Sequence, residues 1–193
     1  MSTLALIDLP QEVIARARRG EDAAREQIYR FLAPGVFGLI RRLVGGRAVA
    51  EDLFQDTMMT AYEQLGGYRG EAPLGAWVRR IAVSKCLMHL RSPWQRVRLG
   101  FSADAEEGGS AGEWLPTVAP PRPETLDLER ALATLSPTAR AVVWLFEVEG
   151  WSHEEIAAAF GRSSSFSKSQ LARAHRRLRA FFEPDEQHTC APT

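Results

Sequence analysis

The chain has 193 residues, 45% of them apolar and 25% charged, with 24 Lys and Arg set against 24 Asp and Glu. That balance places it among ordinary globular proteins with one moderate core or two small ones. The only cysteines are Cys86, within an apolar pattern, and Cys190, in a polar tail; with no CxxC and no metal-ligand spacing, two reduced thiols are expected rather than a disulfide framework. The apolar runs fall short of the roughly 18 residues of a bilayer span. The opening "MSTLALIDLP" lacks the basic region and cleavage site of a signal peptide, so a cytoplasmic protein with no membrane insertion is expected.

Neutrality is a cancellation between segments. Residues 1–100 hold 15 Lys and Arg against 10 Asp and Glu, residues 101–125 hold 1 against 5, and residues 126–193 hold 8 against 9. Local basic patches are therefore hidden from the total. Pro and Gly punctuate stretches of period near 3.6, and no β-branched alternation appears, so the fold expected is all-α.

Residues 48–92 predict two helices joined by the loop "GGYRGEA", with Pro73 opening the second. The first places Phe54, Met58, Ala61 and Leu65 on one face. Asp52, Gln55, Asp56 and Met59 form a second stripe, either plain solvated surface or a face for a basic partner helix. The second helix buries Leu74, Val78, Ile81 and Leu90, carries Arg79, Arg80, Lys85 and Arg91, and has Trp77 beside the loop. Aromatic rings interleaved with cations suit single-stranded nucleic acid, although a tryptophan near a helix start is more often core.

Residues 101–125, "FSADAEEGGSAGEWLPTVAPPRPET", have no apolar period and are rich in Gly, Pro and acid. They read as a flexible linker in which Trp114 and Leu115 are clustered large apolar residues. The expected organisation is an N-terminal domain over 1–100, this linker, a C-terminal domain over 126–183 and a tail over 184–193.

In the C-terminal domain, Ser136 and Pro137 open a helix that stops at Gly150. Ser152 and Glu155 then predict a capping box for the short helix "HEEIAAAF", closed by Gly161. A longer helix follows with Ser163 or Ser164 as its cap. Short helix, turn and long basic helix is helix-turn-helix order.

On the long helix Leu171, Ala174, Leu178 and Phe181 form the buried stripe expected, while Lys168, Ser169, Arg173, Arg176 and Arg177 fall off it. No Asp or Glu occurs from residue 156 to 182, so a self-neutralised solvated face is disfavoured and DNA binding favoured. Five phosphate contacts would give a salt slope of roughly −0.9 per contact on B-DNA.

Taken together, "AEDLFQD", "YRGEAPLGAWVRRIA", "MHLRS" and the run from "LSPTARAVVWLFEVEG" to "QLARAHRRLR" are similar, in order and spacing, to bacterial sigma factors of the extracytoplasmic-function (ECF) type. The resemblance covers about residues 10–182. It implies a subunit that binds core RNA polymerase, on the clamp helices of its largest subunit, and directs it to promoter DNA.

Under that resemblance Asp52, Gln55, Asp56 and Met59 would meet the polymerase. The loop 66–72 with Tyr68, Arg69, Trp77, Arg79, Arg80, Ser84 and Lys85 would capture melted minus-10 bases. Arg162, Ser164, Lys168, Ser169, Gln170, Arg173, Arg176 and Arg177 would read the minus-35 duplex. An inhibitory anti-sigma factor is a further implied partner, and the two domains could close on each other when free. No catalytic residue, metal or cofactor is expected.

The chain departs from the family pattern at Ser165, Phe166 and Ser167, where Gly-Thr-Val is common, and at Gln170, where Arg is frequent. Ser84 and Met88 stand where Asn and Asp are common. Ser167 thus puts a hydroxyl at a usually apolar position, with Phe166 available to supply packing. Base preference at both elements is open to change. A phosphate on the serine cluster at 163–169 would repel the DNA backbone, but capping and phosphate hydrogen bonding explain these serines more simply.

Other classes fit less of the chain. A regulator with an N-terminal sensor would share the helix-turn-helix but has no need of the "AEDLFQD" or basic tryptophan helices. An enzyme lacks support because His89, His153, His175 and His188 are scattered and no nucleophile constellation or phosphate loop is present. A purely structural helical adaptor would bind no DNA.

Overall fold

The computed structural model describes residues 3–92 and 123–183. The expected tail, Cys190, and all of the expected linker except Pro123–Thr125 lie outside the described residues, as do Trp114 and Leu115. Among the described residues every regular element is helical.

A short 3-10 turn, Thr3–Leu6, precedes helices α1 (Gln11–Arg18), α2 (Asp22–Val44), α3 (Arg47–Gln64) and α4 (Leu74–Arg91). The long helix α2 supplies the spine, turning Ile28, Leu32, Val36, Leu39, Ile40 and Leu43 inward at helical spacing. Pro34 lies inside it, and α2 ends at Gly45, whose φ of 80° is cheap only for glycine. Helices α3 and α4 pack on α2 and on each other. Leu74, Val78, Ala82, Val83, Cys86, Leu87 and Leu90 form the buried face of α4.

The segment before α1 docks on the start of α4. The Gly75 N–H donates to Ile7 O at 2.8 Å, and a Cβ on Gly75 would stand 2.0 Å from Leu4 O. Asp8 Oδ1 accepts from Leu74 N at 3.3 Å, so a carboxylate meets an amide of the helix start that has no partner within the helix. Pro73 occupies the cap position rather than the first helical position.

The second unit contains α5 (Pro123–Ala133), α6 (Pro137–Val143), a π-helical turn (Trp144–Val148), α7 (His153–Phe160) and α8 (Ser164–Phe182). Its local signals act as expected. Ser136 Oγ accepts from Ala139 N with Pro137 at the helix start, Ser152 and Glu155 form a complete capping box, and Gly161 closes α7 at φ 64°. Ser163 holds the cap position of α8, but its hydroxyl makes no capping bond. Helix α8 lies on both α6 and α7.

Two expectations need adjustment. The second unit's first helix begins at Pro123, inside the stretch expected to be linker. Phe181 is not part of the buried stripe: Ser167, Leu171 and Ala174 are buried, whereas Phe181 stands exposed in the last turn of α8, one residue from its end.

The two units share one apolar cluster, with α6 packed on α2 and α7 touching α4. Polar contacts reinforce the junction. The Arg42 guanidinium lies 5.0 Å from the Trp144 ring centroid, Arg91 Nη1 donates to Ala159 O at 3.1 Å, and Arg79 pairs with Glu149.

Candidate nucleic-acid and protein interfaces

Helix α8 carries the clearest binding face. Lys168, Ser169, Arg173, Arg176 and Arg177 are exposed along it, with Arg162 exposed in the preceding turn and Ser164 and Gln170 half-buried. No carboxylate among the described residues forms an ion pair with Arg162, Lys168, Arg173, Arg176 or Arg177. His175, on the flank, meets Glu147 Oε1 through Nε2 at 3.0 Å. The result is a helix anchored by an apolar stripe, with uncompensated cations and hydroxyls pointing outward, the chemistry that phosphate and base edges accept.

The loop between α3 and α4 is built from within. Tyr68 is buried, its hydroxyl donates to Ala72 O, and its ring lies 5.4 Å from that of half-buried Trp77. Arg18 donates to Leu65 O at 3.0 Å and also to Tyr68 O. Tyr68 and Trp77 therefore brace the loop rather than present open rings. Gly66 and Gly67 face open space, Gly70 holds φ 75°, and Arg69 is exposed beside Glu71. Desolvation raises the Tyr68 phenol above its usual range, so the ring stays neutral.

On α4 the candidate cations divide. Arg80 and Ser84 are exposed. Lys85 is mostly covered and its Nζ lies 2.7 Å from Asp56 Oδ2, so a residue expected to meet DNA is bonded to one expected to meet polymerase. Arg79 is turned into the junction, where its guanidinium meets the Glu149 carboxylate, whose side chain is 0% exposed. Trp144 Nε1 donates to the other Glu149 oxygen at 3.2 Å, so the buried charge is satisfied on both sides.

On α3 Asp52, Gln55, Asp56 and Met59 do share one exposed face, and Met59 is 62% exposed. A large apolar side chain flanked by carboxylates and an amide is suited to a basic, partly apolar helix.

Three residues with structural leverage were missed in the sequence: Asp8, Arg18 and Glu149. The last did carry a signal. An acid at the end of a helical run opposes the helix dipole and calls for a nearby cation, here Arg79.

Among the described residues no helix is long and apolar enough to cross a membrane, and no cluster of His, Cys, Asp and Glu could hold a metal ion. Two helical units, the second a helix-turn-helix with a cationic outer helix, define the class. The Sigma-70 region 2 family matches residues 28–96, and the Sigma-70 region 4 family matches residues 125–178.

The chain is 33% identical over 166 residues to the RNA polymerase sigma factor CarQ of Myxococcus xanthus, covering 85% of this chain and 92% of that one. It is 33% identical over 186 residues to the ECF RNA polymerase sigma factor SigG of Mycobacterium tuberculosis, of which it spans only 49%. It is 26% identical to the sigma-H factor of Pseudomonas aeruginosa, covering 90% of this chain and 94% of that one. In fold it is similar to the sigma factor RpoE of Bartonella quintana, solved with the anti-sigma factor NepR, at TM-score 0.52 and 24% identity over 83% of this chain and 98% of that one. This chain belongs to the ECF group of RNA polymerase sigma factors.

Proposed function

We propose that the protein is a promoter-specificity subunit that binds core RNA polymerase and brings it to particular promoters from the cytoplasm, without catalysing a reaction itself. The observation that carries this is the cationic face of the anchored helix-turn-helix, where Arg162 in the turn and Lys168, Arg173, Arg176 and Arg177 on α8 stand exposed and without carboxylate partners among the described residues. Two parts follow in this reading, residues 1–100 for polymerase and the minus-10 element and residues 126–183 for the minus-35 element.

In the minus-35 part, Ser164, Lys168, Ser169, Gln170 and Arg173 read base edges, while Arg162, Arg176 and Arg177 meet phosphates. In the minus-10 part, Arg69 on the loop that Tyr68 and Trp77 brace and Arg80 and Ser84 on the exposed side of α4 meet the melted strand. Arg79 and Lys85 join them once their pairs with Glu149 and Asp56 are exchanged for DNA. A base captured outside the stack offsets part of the cost of opening the duplex. Asp52, Gln55, Asp56 and Met59 dock on the clamp helices of the polymerase's largest subunit. An anti-sigma factor, as found with the Bartonella protein, is the inhibitory partner this reading implies.

Replacing Arg173 and Arg176 together by Ala tests the α8 face. Binding to a duplex carrying the minus-35 element should weaken, and the slope of log affinity against log salt should flatten by roughly 0.9 for each phosphate no longer neutralised. An unchanged slope and affinity would remove α8 from the DNA interface.

A further inference from the structure

The inward stripe of α8 begins with a hydroxyl. Ser167 is completely buried, at a place where an apolar side chain would avoid any desolvation cost. Its Oγ is satisfied across the helix-turn-helix, 3.0 Å from Nδ1 of His153, the first residue of α7. The imidazole is itself held. It stacks on Phe146 with centroids 4.5 Å apart and planes 18° from parallel, and the capping box of Ser152 and Glu155 fixes the backbone that carries it.

Adjacent packing is separate from this contact: Phe166 fills the space against Phe160, with centroids 5.7 Å apart. Phe166 therefore supplies bulk, and His153 supplies direction. An apolar contact tolerates small rotations of a helix, whereas a hydrogen bond weakens steeply as donor and acceptor leave alignment. The exposed side chains that follow Ser167, namely Lys168, Ser169 and Arg173, inherit whatever rotation that bond imposes. At 3.6 residues per turn a modest twist of α8 moves each of them across the floor of a groove.

We propose that His153 and Ser167 are a positioning pair that sets which base edges α8 meets, so that sequence preference depends on them beyond overall affinity. The inference rests on reading α8 as the helix that enters the duplex.

The test begins by enriching, from a random duplex library, the sequence bound by the unaltered full chain. Affinities for that duplex and for a scrambled duplex of equal length are then compared at one salt concentration. His153→Phe keeps a ring on Phe146 but removes the hydrogen bond, Ser167→Ala removes its other half, and His153→Asn places an amide near the position of Nδ1. His153→Phe and Ser167→Ala should each lower the ratio of selected to scrambled binding by roughly tenfold, the worth of one base-reading contact. Scrambled binding, which depends on phosphate charge, should stay within about twofold. His153→Asn should restore most of the ratio.

An unchanged ratio in His153→Phe and Ser167→Ala would overturn the proposal. So would a fall in His153→Asn as deep as in His153→Phe, with both binding modes and the thermal midpoint dropping together. If the unaltered chain enriches no sequence, the reading of α8 itself falls and takes this pair with it, an outcome reached before any variant is made.

Discussion

Cys86 is buried on the inner face of α4, and desolvation pushes its thiol up to about 12. Only the thiolate is nucleophilic, so Cys86 should resist alkylation in the folded protein at pH 8 and react on unfolding. Mapping the alkylated peptides with and without urea checks this, and rapid native labelling of Cys86 would contradict its burial. The same shift has a sign for stability. The unfolded thiol titrates at about 8.5, so its contribution is complete below that pH and is lost as pH rises toward the folded value. Tyr62 and Tyr68, also raised by burial, act in the same direction. Sequence showed Cys86 within an apolar pattern, and inertness follows from that alone. The burial of Tyr68 was not legible, because its partners Arg18 and Ala72 reach it through loop geometry that no periodicity encodes.

At the scale of elements, the helix ends of the second unit were readable because caps are local. Ser136 with Pro137, Ser152 with Glu155, and Gly161 each satisfy backbone groups within four residues of themselves. The stripe of α8 was readable at Leu171 and Ala174, whereas Phe181, in the last turn of the helix, continues the period but not the burial. What sequence could not show is the docking of residues 3–9 on α4, since Gly75 and Leu4 meet only through the fold. That docking makes a sharp prediction. In Gly75→Ala the new methyl would sit 2.0 Å from Leu4 O and 2.9 Å from Ile7 O, both of them backbone atoms. The N-terminal segment must move away, at a cost of about 3 kcal/mol, the upper end for an overpacked core. Urea unfolding should show the loss, and a midpoint equal to that of the unaltered chain would mean the segment does not pack there.

At the scale of the whole molecule, the two units meet through an apolar seam and a buried ion pair. Arg79 and Glu149 are separated by 70 positions and by the entire expected linker, so neither charge pattern nor spacing could pair them. Removing one partner strands the other. Glu149→Ala should cost about 3 kcal/mol at the junction, release Arg79, and raise the radius of gyration measured by solution scattering. An unchanged radius with unchanged stability would show that the pair does not hold the units together. The junction also bears on function. While Glu149 holds Arg79 and Asp56 holds Lys85, two of the cations proposed for the minus-10 strand are occupied, so DNA has to displace carboxylates already in place.

On the function proposed above, this chain gives core RNA polymerase a promoter choice. Run-off transcription from a genomic promoter library, with purified bacterial core polymerase in the presence and absence of the full chain, tests it most directly. Discrete new transcripts should appear whose start sites align on two shared upstream elements, and they should be lost when Asp52 and Gln55 are replaced by Lys. Core polymerase left unbound and undirected by a chain that still binds duplex DNA would contradict it.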